Sequence, residues 1–242
     1  MRLALSGYNL VAQFHVDVES AQRLESDIAS AGGRCVTVAA DLSGVDGVDT
    51  ICEAVDKELR RPNAGGLRAL INNAAKLLGP SFAEATVADF DTYFAVNTRA
   101  AFFLAQQLVP KMMPSSSIVN MSSASAHFSS PGDIVYAMSK AAVESMTKNM
   151  AEAIANRAIR VNAIVPGFTD NGHPAFSDGE ALEYMSNFSV LGGVSQPQHI
   201  ADAVLFLVSE ASSRTTGSIL DVSGGSTLAA RGARAHSIRE LL

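Results

Sequence analysis

This chain of 242 residues lacks long apolar runs, a cysteine-rich pattern and an excess of basic residues, and each absence excludes a class of protein. No apolar stretch approaches the ~20 residues that cross a bilayer, and the first residues lack the charged-then-apolar pattern of a secretory signal. The net charge of -6 argues against a nucleic-acid surface. For Cys35 and Cys52 we expect two buried free thiols in a reducing cytosol rather than a disulfide. A cytoplasmic protein with neither nucleic acid nor membrane as partner is predicted.

Hydrophobic residues make up 48% of the chain and charged residues 17%, which is typical of a well-buried globular protein. Continuous apolar runs, which indicate strands covered on both faces, alternate with amphipathic stretches. The runs lie at 9–14, 35–40, 67–72, 117–121, 159–165 and 218–223, and the predicted helices near 18–31, 45–60, 87–113, 134–155 and 198–210. This alternation predicts one α/β domain over residues 1–242 with a single, doubly wound parallel sheet of the Rossmann type.

Two segments depart from the tight alternation. The loop 168–196 holds polar and aromatic residues around a possible short helix at 178–187. Long insertions after parallel strands often shape a binding site, so this loop is predicted to bind substrate; a mobile surface excursion is the alternative. The basic tail 227–242 either docks on a neighbouring subunit or forms a frayed terminus.

The strongest local signal is the segment YAMSK, which places Tyr136 and Lys140 one helical turn apart on the same face. A cation at that distance favours phenolate, so we expect the pKa of Tyr136 to fall below its usual value of ~10. Such a phenol can give a proton to a developing alkoxide or take one back. The spacing alone favours a plain surface pair.

Neighbouring segments strengthen the catalytic interpretation. Ser123 in NMSSAS follows an apolar run, and Asn97 falls within a predicted helix. With INNAA at 71–75, VNAIVPGFT at 161–169 and TGSILDVSGG at 216–225, these segments resemble, in order and spacing, those of the short-chain dehydrogenase/reductase family. The resemblance runs from Gly7 to about Gly225.

The resemblance implies roles for individual residues. Tyr136 would be the catalytic acid/base, Ser123 would bind the substrate oxygen, Lys140 would hold the nicotinamide ribose, and Asn97 would anchor a water in a proton relay. The implied cofactor contacts, besides Tyr136 and Lys140, are Asp41 and Leu42 beside the adenine, Asn73 and Ala74 at the adenosine ribose, and Pro166, Gly167 and Thr169 at the nicotinamide carboxamide. Asn73 could also be a plain strand-end cap, and Pro166-Gly167 a plain turn. No residue is assigned to a metal.

The first residues differ from the family pattern. Family members begin with a strand and a turn of the form T-G-x-x-x-G-x-G that receives the pyrophosphate at a helix N-terminus. Here Met1–Ser6 reads as the end of a helix with a C-cap at Gly7, and no window of eight residues holds three glycines. The family's central strand, between 9–14 and 67–72, is therefore expected to be missing. Three explanations are open. The first is that further residues precede Met1. The second is that a partner, or direct pairing of the flanking strands, fills the gap, and the third is that dinucleotide binding has been lost.

Two functions follow as hypotheses. The first is an oxidoreductase that transfers hydride between NADP(H) and a ketone or secondary alcohol, resembling reductases of 3-oxoacyl thioesters, polyketides or small ketones. NADP(H) is favoured over NAD(H) because Phe14 and His15 stand where an acidic residue would repel the 2′-phosphate; a solvated His15 without a role is the alternative. The loop 168–196 has no Lys or Arg, which disfavours a strongly anionic substrate group. The second hypothesis is a catalytically inactive scaffold. A homodimer or homotetramer through the helices at 87–113 and 134–155 is expected from the resemblance.

Overall fold

A computed structural model describes residues 1–228, so most of the tail 227–242 lies outside the described residues. The strands are β1 (Leu10–Phe14), β2 (Cys35–Ala39), β3 (Leu67–Asn72), β4 (Met112–Met121), β5 (Arg160–Pro166) and β6 (Ile219–Val222). The α-helices are α1 (Arg2–Leu5), α2 (Val18–Ser30), α3 (Asp46–Leu59), α4 (Val87–Phe94), α5 (Ala100–Leu108), α6 (Ile134–Ala153), α7 (Gly179–Ser186) and α8 (Pro197–Val208). The predicted α/β, Rossmann-like architecture is confirmed.

Local sequence explains where several helices begin. The Asp17 carboxylate accepts the Ser20 N–H at 2.9 Å and caps α2. Thr86 and Asp89 form a reciprocal capping box at the start of α4. At the other end of α1, Gly7 takes the left-handed conformation (φ +89°) that the C-cap prediction requires.

The strand pairs of the described residues are parallel, and β4 and β5 are the two inner strands of the larger sheet. The order β3-β4-β5-β6 forms a four-stranded sheet, and β1 pairs separately with β2. Ile118, Val119, Val161 and Ile164 are fully buried, because helices cover both faces of these two strands. α8 packs on one face through Val204 and Leu207.

The single sheet that the sequence predicts is divided in the structure. β1 and β3 belong to different sheets, so the direct pairing considered above is wrong. Every residue of β1 is half-buried, and β3 is half-buried apart from an exposed Arg68, in contrast to the buried residues of β4 and β5. The two sheets are joined through side chains: Val48 and Ile51 of α3 share a core cluster with Leu104 of α5, on which Val11 and Leu67 pack.

The prediction of one continuous helix over 87–113 is wrong in two respects. It is interrupted by a π-helical segment, Ala95–Arg99, and it ends in a 3-10 turn at Val109–Lys111. β4 then begins at Met112, five residues earlier than predicted.

Several smaller expectations are confirmed. The short helix expected at 178–187 is α7, Gly179–Ser186, with Asp178 as its N-cap. Cys35 in β2 and Cys52 in α3 are both free thiols, as expected, but only Cys52 is buried, and the expected burial of Cys35 is wrong because it lies half-buried. Among the described residues, no helix combines the length and apolarity needed to cross a bilayer.

Candidate active site

The predicted site residues follow the carboxyl ends of the parallel strands. Asp41 comes after β2, Asn73 after β3 and Ser123 after β4, while Pro166 ends β5. Because parallel strands end at the same edge of a sheet, the topology places these residues along one edge, where doubly wound proteins bind ligands.

Ser123 and Tyr136 meet at this edge. Ser123 has an extended backbone (φ -163°, ψ 149°) and caps the turn Ala124–Ala126, and its Oγ accepts the hydroxyl of Ser125 at 3.0 Å. Its side chain also hydrogen-bonds to the phenol of Tyr136 on α6. A carbonyl oxygen between these two hydroxyls could accept a hydrogen bond from each.

The pKa of Tyr136 shifts in the direction opposite to the one expected from the neighbouring Lys140. Burial raises the pKa of Tyr136 above its usual value, and the hydrogen bond from Ser123 opposes that rise without overcoming it. The Lys140 ammonium lies 5.7 Å from the centre of the Tyr136 ring, and burial of the phenol is the effect that dominates its pKa. The prediction of a lowered pKa for Tyr136 is therefore wrong in this structure.

Lys140 is buried, and its environment determines its charge. Its Nζ donates a hydrogen bond of 2.8 Å to the main-chain oxygen of Met121. Burial lowers the pKa of Lys140 from 10.5 to about 8. The ammonium carries three donors, and the Met121 oxygen accepts one of them in the structure.

Asn97 lies at the centre of the π-helical segment, a type of irregularity that is frequent at functional sites. Its Oδ1 accepts the Lys76 N–H at 2.8 Å, and its Nδ2 donates to the Lys76 oxygen at 3.2 Å and to Ser139 Oγ at 2.9 Å. The side chain thus fastens the segment after β3 to α6, close to Tyr136 and Lys140. The proposed water-anchoring role of Asn97 stays a prediction.

Asp41 and Leu42 lie after β2. Leu42 is buried in the core cluster under α3. The Asp41 carboxylate accepts the Ser43 N–H at 2.8 Å, which lowers its pKa, and it lies 3.8 Å from His15 Nε2. Sequence reasoning missed this pair, because His15 and Asp41 lie on neighbouring strands and far apart along the chain.

Asn73 and Ala74 are exposed at the end of β3, the strand that borders the division between the two sheets. The preceding Asn72 has a structural contact: its Nδ2 donates to Asn120 Oδ1 at 2.8 Å. Asn120 in turn donates to Thr147 Oγ1 of α6 at 2.9 Å. This buried polar chain across the sheet has no signal in the local sequence.

Pro166 and Gly167 bring the backbone close to the turn after β6. A Cβ placed on Gly167 would lie 2.7 Å from the Ser223 main-chain oxygen, so this position requires glycine. Thr169 Oγ1 donates to the Gly167 oxygen at 3.1 Å, and its backbone bridges to Ser195. These contacts fix the first residues of the loop 168–196.

Four aromatic rings from the loop 168–196 and from the segment between β4 and α6 pack together, a group that we call the aromatic cluster: Phe128, Phe168, Tyr184 and Phe188. Phe188 is its centre, with ring centroids 5.4 Å from Phe128, 5.4 Å from Phe168 and 5.2 Å from Tyr184. Phe128 comes from the segment between β4 and α6, which the sequence interpretation did not connect to the loop. The cluster joins the loop 168–196 to the segment that follows Ser123.

Comparisons with known proteins identify the family of the chain. The profile of the family described as Enoyl-(Acyl carrier protein) reductase matches residues 1–227. The chain is 32% identical over 240 residues to the hydroxynaphthalene reductase-like protein Arp2 of Metarhizium brunneum, covering 93% of this chain and 88% of that protein. It is 34% identical over 208 residues to the 3-oxoacyl-[acyl-carrier-protein] reductase FabG of Thermotoga maritima, covering 85% and 84%.

A solved structure is similar over almost the whole fold. The angucycline C-6 ketoreductase LanV, with bound NADP, superposes with a TM-score of 0.88 at 35% identity, covering 94% of this chain and 90% of that chain. The chain therefore belongs to the short-chain dehydrogenase/reductase family of oxidoreductases, which act on C=O and CH–OH groups.

Proposed function

We propose that this protein reduces a ketone to a secondary alcohol, or performs the reverse oxidation, with NADP(H) as cofactor and Tyr136 as acid/base. The observation that carries the proposal is the convergence of the Ser123 hydroxyl, the Tyr136 phenol and the Lys140 ammonium at the carboxyl edge of the sheet. A proton donor, a hydrogen-bond donor and a cation are the groups that polarise a carbonyl and stabilise the alkoxide that forms from it.

Each of the three residues has a distinct part in the proposed reaction. Because its pKa is raised, Tyr136 is protonated near neutral pH and can donate its proton to the developing alkoxide. Ser123 donates a hydrogen bond to the same oxygen and orients it towards Tyr136. Lys140, with a pKa of about 8, is mainly charged near pH 7 and favours the phenolate that remains after proton transfer.

The nicotinamide end of the site fits the proposed cofactor. The buried Lys140 ammonium has donor capacity for ribose hydroxyls, and the close backbone approach at Gly167 resembles a carboxamide-binding segment. Asn73 and Ala74 would contact the adenosine ribose, and Asp41 and Leu42 would lie beside the adenine. When bound, NADP(H) supplies or accepts the hydride.

We propose NADP(H) rather than NAD(H) because β1 ends without an acidic residue at Phe14 and His15. The Asp41 carboxylate faces His15, so a protonated His15 would offset its charge near a 2′-phosphate. The relative LanV was solved with NADP, which supports this choice. Residues 1–242 contain no segment of the form T-G-x-x-x-G-x-G, the turn that receives the pyrophosphate in the family, so a cofactor titration is the direct test of dinucleotide binding by this chain.

We propose a substrate without a strongly anionic group, of the 3-oxoacyl, polyketide or small-ketone type. The loop 168–196 carries Asp170, Asp178, Glu180 and Glu183 and has no Lys or Arg, so it would repel an acid. The aromatic cluster favours flat aromatic ketones within this range. The relatives named for hydroxynaphthalene and angucycline reduction support the same choice.

We also propose that the protein acts in the cytoplasm as a homodimer or homotetramer. α4, α5 and α6 form an apolar groove of about 720 Å³, lined by Phe94, Phe102, Phe103, Met146 and Met150. Phe102 and Phe103 are 41% and 42% exposed, and a second copy presenting the same helices would cover them.

A titration followed by turnover tests the function. Nicotinamide fluorescence is recorded while NADPH, and separately NADH, is added to the full chain, and NADPH oxidation is then followed with a bicyclic aromatic ketone and with an acetoacetyl thioester. Saturable binding with tighter affinity for NADPH, followed by ketone-dependent oxidation, is expected. A folded protein that stays silent at millimolar cofactor would contradict the proposal and favour the scaffold hypothesis, for which the division between β1 and β3 is the specific observation.

A further inference from the structure

We propose that Glu144 is a positioning residue for the reaction: its carboxylate holds the end of β4 and the segment after it against α6, and so sets the distance between Ser123 and Tyr136. The inference rests on the proposed function for its catalytic consequence, while the contacts that carry it are independent of that function. We call Ser122, His127 and Glu144 the carboxylate clamp.

The contacts in the carboxylate clamp are short and come from three places in the fold. Glu144 Oε1 accepts the hydroxyl of Ser122 at 2.5 Å and lies 2.8 Å from His127 Nε2. A carboxylate only accepts hydrogen bonds, so Nε2 is the protonated nitrogen of the His127 ring. The Glu144 side chain is 13% exposed and Ser122 is buried, so water competes little for the bond between them, whereas the His127 side chain is 33% exposed.

The clamp lies on the helix face that carries the catalytic groups. Tyr136, Lys140 and Glu144 follow one another at intervals of four residues on α6, which places them in one stripe. Ser122 also donates weakly to the Lys140 main-chain oxygen at 3.3 Å, and its own N–H donates to the Ile164 oxygen at 2.8 Å. Ser122 is therefore fixed to α6 on one side and to β5 on the other.

This arrangement matters because the two hydroxyls of the site come from different elements. Ser123 directly follows the clamped Ser122, whereas Tyr136 belongs to α6, and both must reach one substrate oxygen. His127 fixes the same segment at a second point, four residues after Ser123. Displacing a reacting group by about 1 Å costs about 100-fold in rate, so a clamp at this position acts on kcat more than on binding.

A serine, a histidine and a carboxylate also form the triads of many hydrolases, but the order of contacts here is different. In a triad the histidine accepts the serine proton. Here the hydroxyl of Ser122 donates its hydrogen bond to the Glu144 carboxylate instead, and His127 bonds to the same carboxylate oxygen. The geometry thus points to a structural clamp and away from a nucleophilic serine.

The experiment compares Glu144→Leu with Glu144→Gln and with Glu152→Leu as the matched control. Glutamine keeps an acceptor oxygen for Ser122 and His127, whereas leucine removes it. Glu152 is an exposed glutamate two turns further along α6, outside the site. For each variant, kcat and KM for ketone, the Kd for NADPH, the thermal midpoint and the amide hydrogen exchange of residues 122–130 are measured.

For Glu144→Leu we expect kcat to fall about 100-fold with little change in KM or in the Kd for NADPH. Exchange in 122–130 should become faster, and Glu144→Gln should restore most of both properties. A Glu144→Leu variant that keeps kcat would overturn the inference, as would equal losses in kcat, affinity and thermal midpoint. If the wild type reduces no ketone, hydrogen exchange alone decides: unchanged exchange in Glu144→Leu overturns the clamp, and faster exchange confined to 122–130 supports it.

Discussion

The Lys140 ammonium donates a hydrogen bond of 2.8 Å to the main-chain oxygen of Met121, the last residue of β4. This bond ties α6 to the strand that leads to Ser123. It also holds a positive charge in a buried position. The price of that burial is visible in the pKa of Lys140, which is lowered from 10.5 to about 8.

The first prediction concerns stability as a function of pH. Below pH 8 Lys140 is charged in the folded and in the unfolded protein, so the full cost of burying the ammonium is present. Between pH 8 and pH 10.5 the unfolded chain holds a proton that the folded one has lost, so the contribution of this group to stability rises with pH. A pKa lowered from 10.5 to about 8 means that burying the charged ammonium costs about 3 kcal/mol of folding free energy.

The variant Lys140→Met has no ammonium to bury, but it loses the bond to Met121, which is worth about 1 kcal/mol. We therefore expect it to be more stable than the wild type by about 2 kcal/mol near pH 7, with the gain vanishing by about pH 10.5. Urea unfolding of both proteins across this range measures the difference, in which other titrating groups cancel. A constant difference at every pH would contradict the prediction.

The second prediction concerns Tyr136→Phe, which removes the phenol proton and keeps the ring. General acid catalysis contributes about 100-fold to 10,000-fold, so ketone reduction should fall by about 1,000-fold. The fold should be unchanged, because the ring still fills its buried site. Tyr8→Phe is the matched control, since Tyr8 bonds only weakly to the Val208 oxygen at 3.3 Å and lies in α8's core cluster. Substantial turnover in Tyr136→Phe would remove Tyr136 from its role.

Periodic and motif signals predicted most of the fold. The runs of β-branched and apolar residues located all six strands, and β3 matches the predicted 67–72 residue for residue. Such signals work because a strand buried on both faces has to be apolar at every position. The motif around Tyr136 likewise placed Tyr136 and Lys140 together on one helix, α6, since spacing along a helix is a local property.

Contacts between distant segments could not be predicted in this way. The π-helical turn at Ala95–Arg99 depends on Asn97 meeting Lys76 and Ser139, and neither partner is a sequence neighbour. The raised pKa of Tyr136 depends on burial by the surrounding loops, which overrides the local effect of Lys140. The pairing of Glu144 with Ser122 and His127 joins a helix to a strand end and a turn, and no local sequence pattern predicts it.

The third prediction concerns the close approach at Gly167. In Gly167→Ala the added Cβ would lie 2.7 Å from the Ser223 oxygen and 3.1 Å from Ser226 Oγ, and the backbone oxygen cannot move aside easily. We expect a loss of about 1–3 kcal/mol in the free energy of unfolding, the usual cost of overpacking. NADPH affinity should fall as well, because the segment that would bind the carboxamide is displaced.

The control for this substitution is Gly132→Ala, where a Cβ meets nothing within 4 Å. It should leave the free energy of unfolding nearly unchanged. Urea denaturation and NADPH titration of the two variants measure both effects. If Gly167→Ala were as stable as Gly132→Ala and bound NADPH as well as the wild type, the close approach would have no functional meaning.

The last prediction concerns assembly through the groove formed by α4, α5 and α6. Introducing carboxylates at two of its lining residues, in the double variant Phe102→Glu and Phe103→Glu, places like charges against each other if two copies meet there. Burying such unpaired charges costs several kcal/mol, so the oligomer should dissociate. Light scattering after gel filtration should show the mass falling to that of one chain, 25.3 kDa. The control is Phe82→Glu, which changes an equally apolar but more exposed ring on the segment between β3 and α4. An interface built on this groove could not accommodate two carboxylates at its centre. A double variant that keeps the wild-type mass would therefore place the subunit interface on another surface.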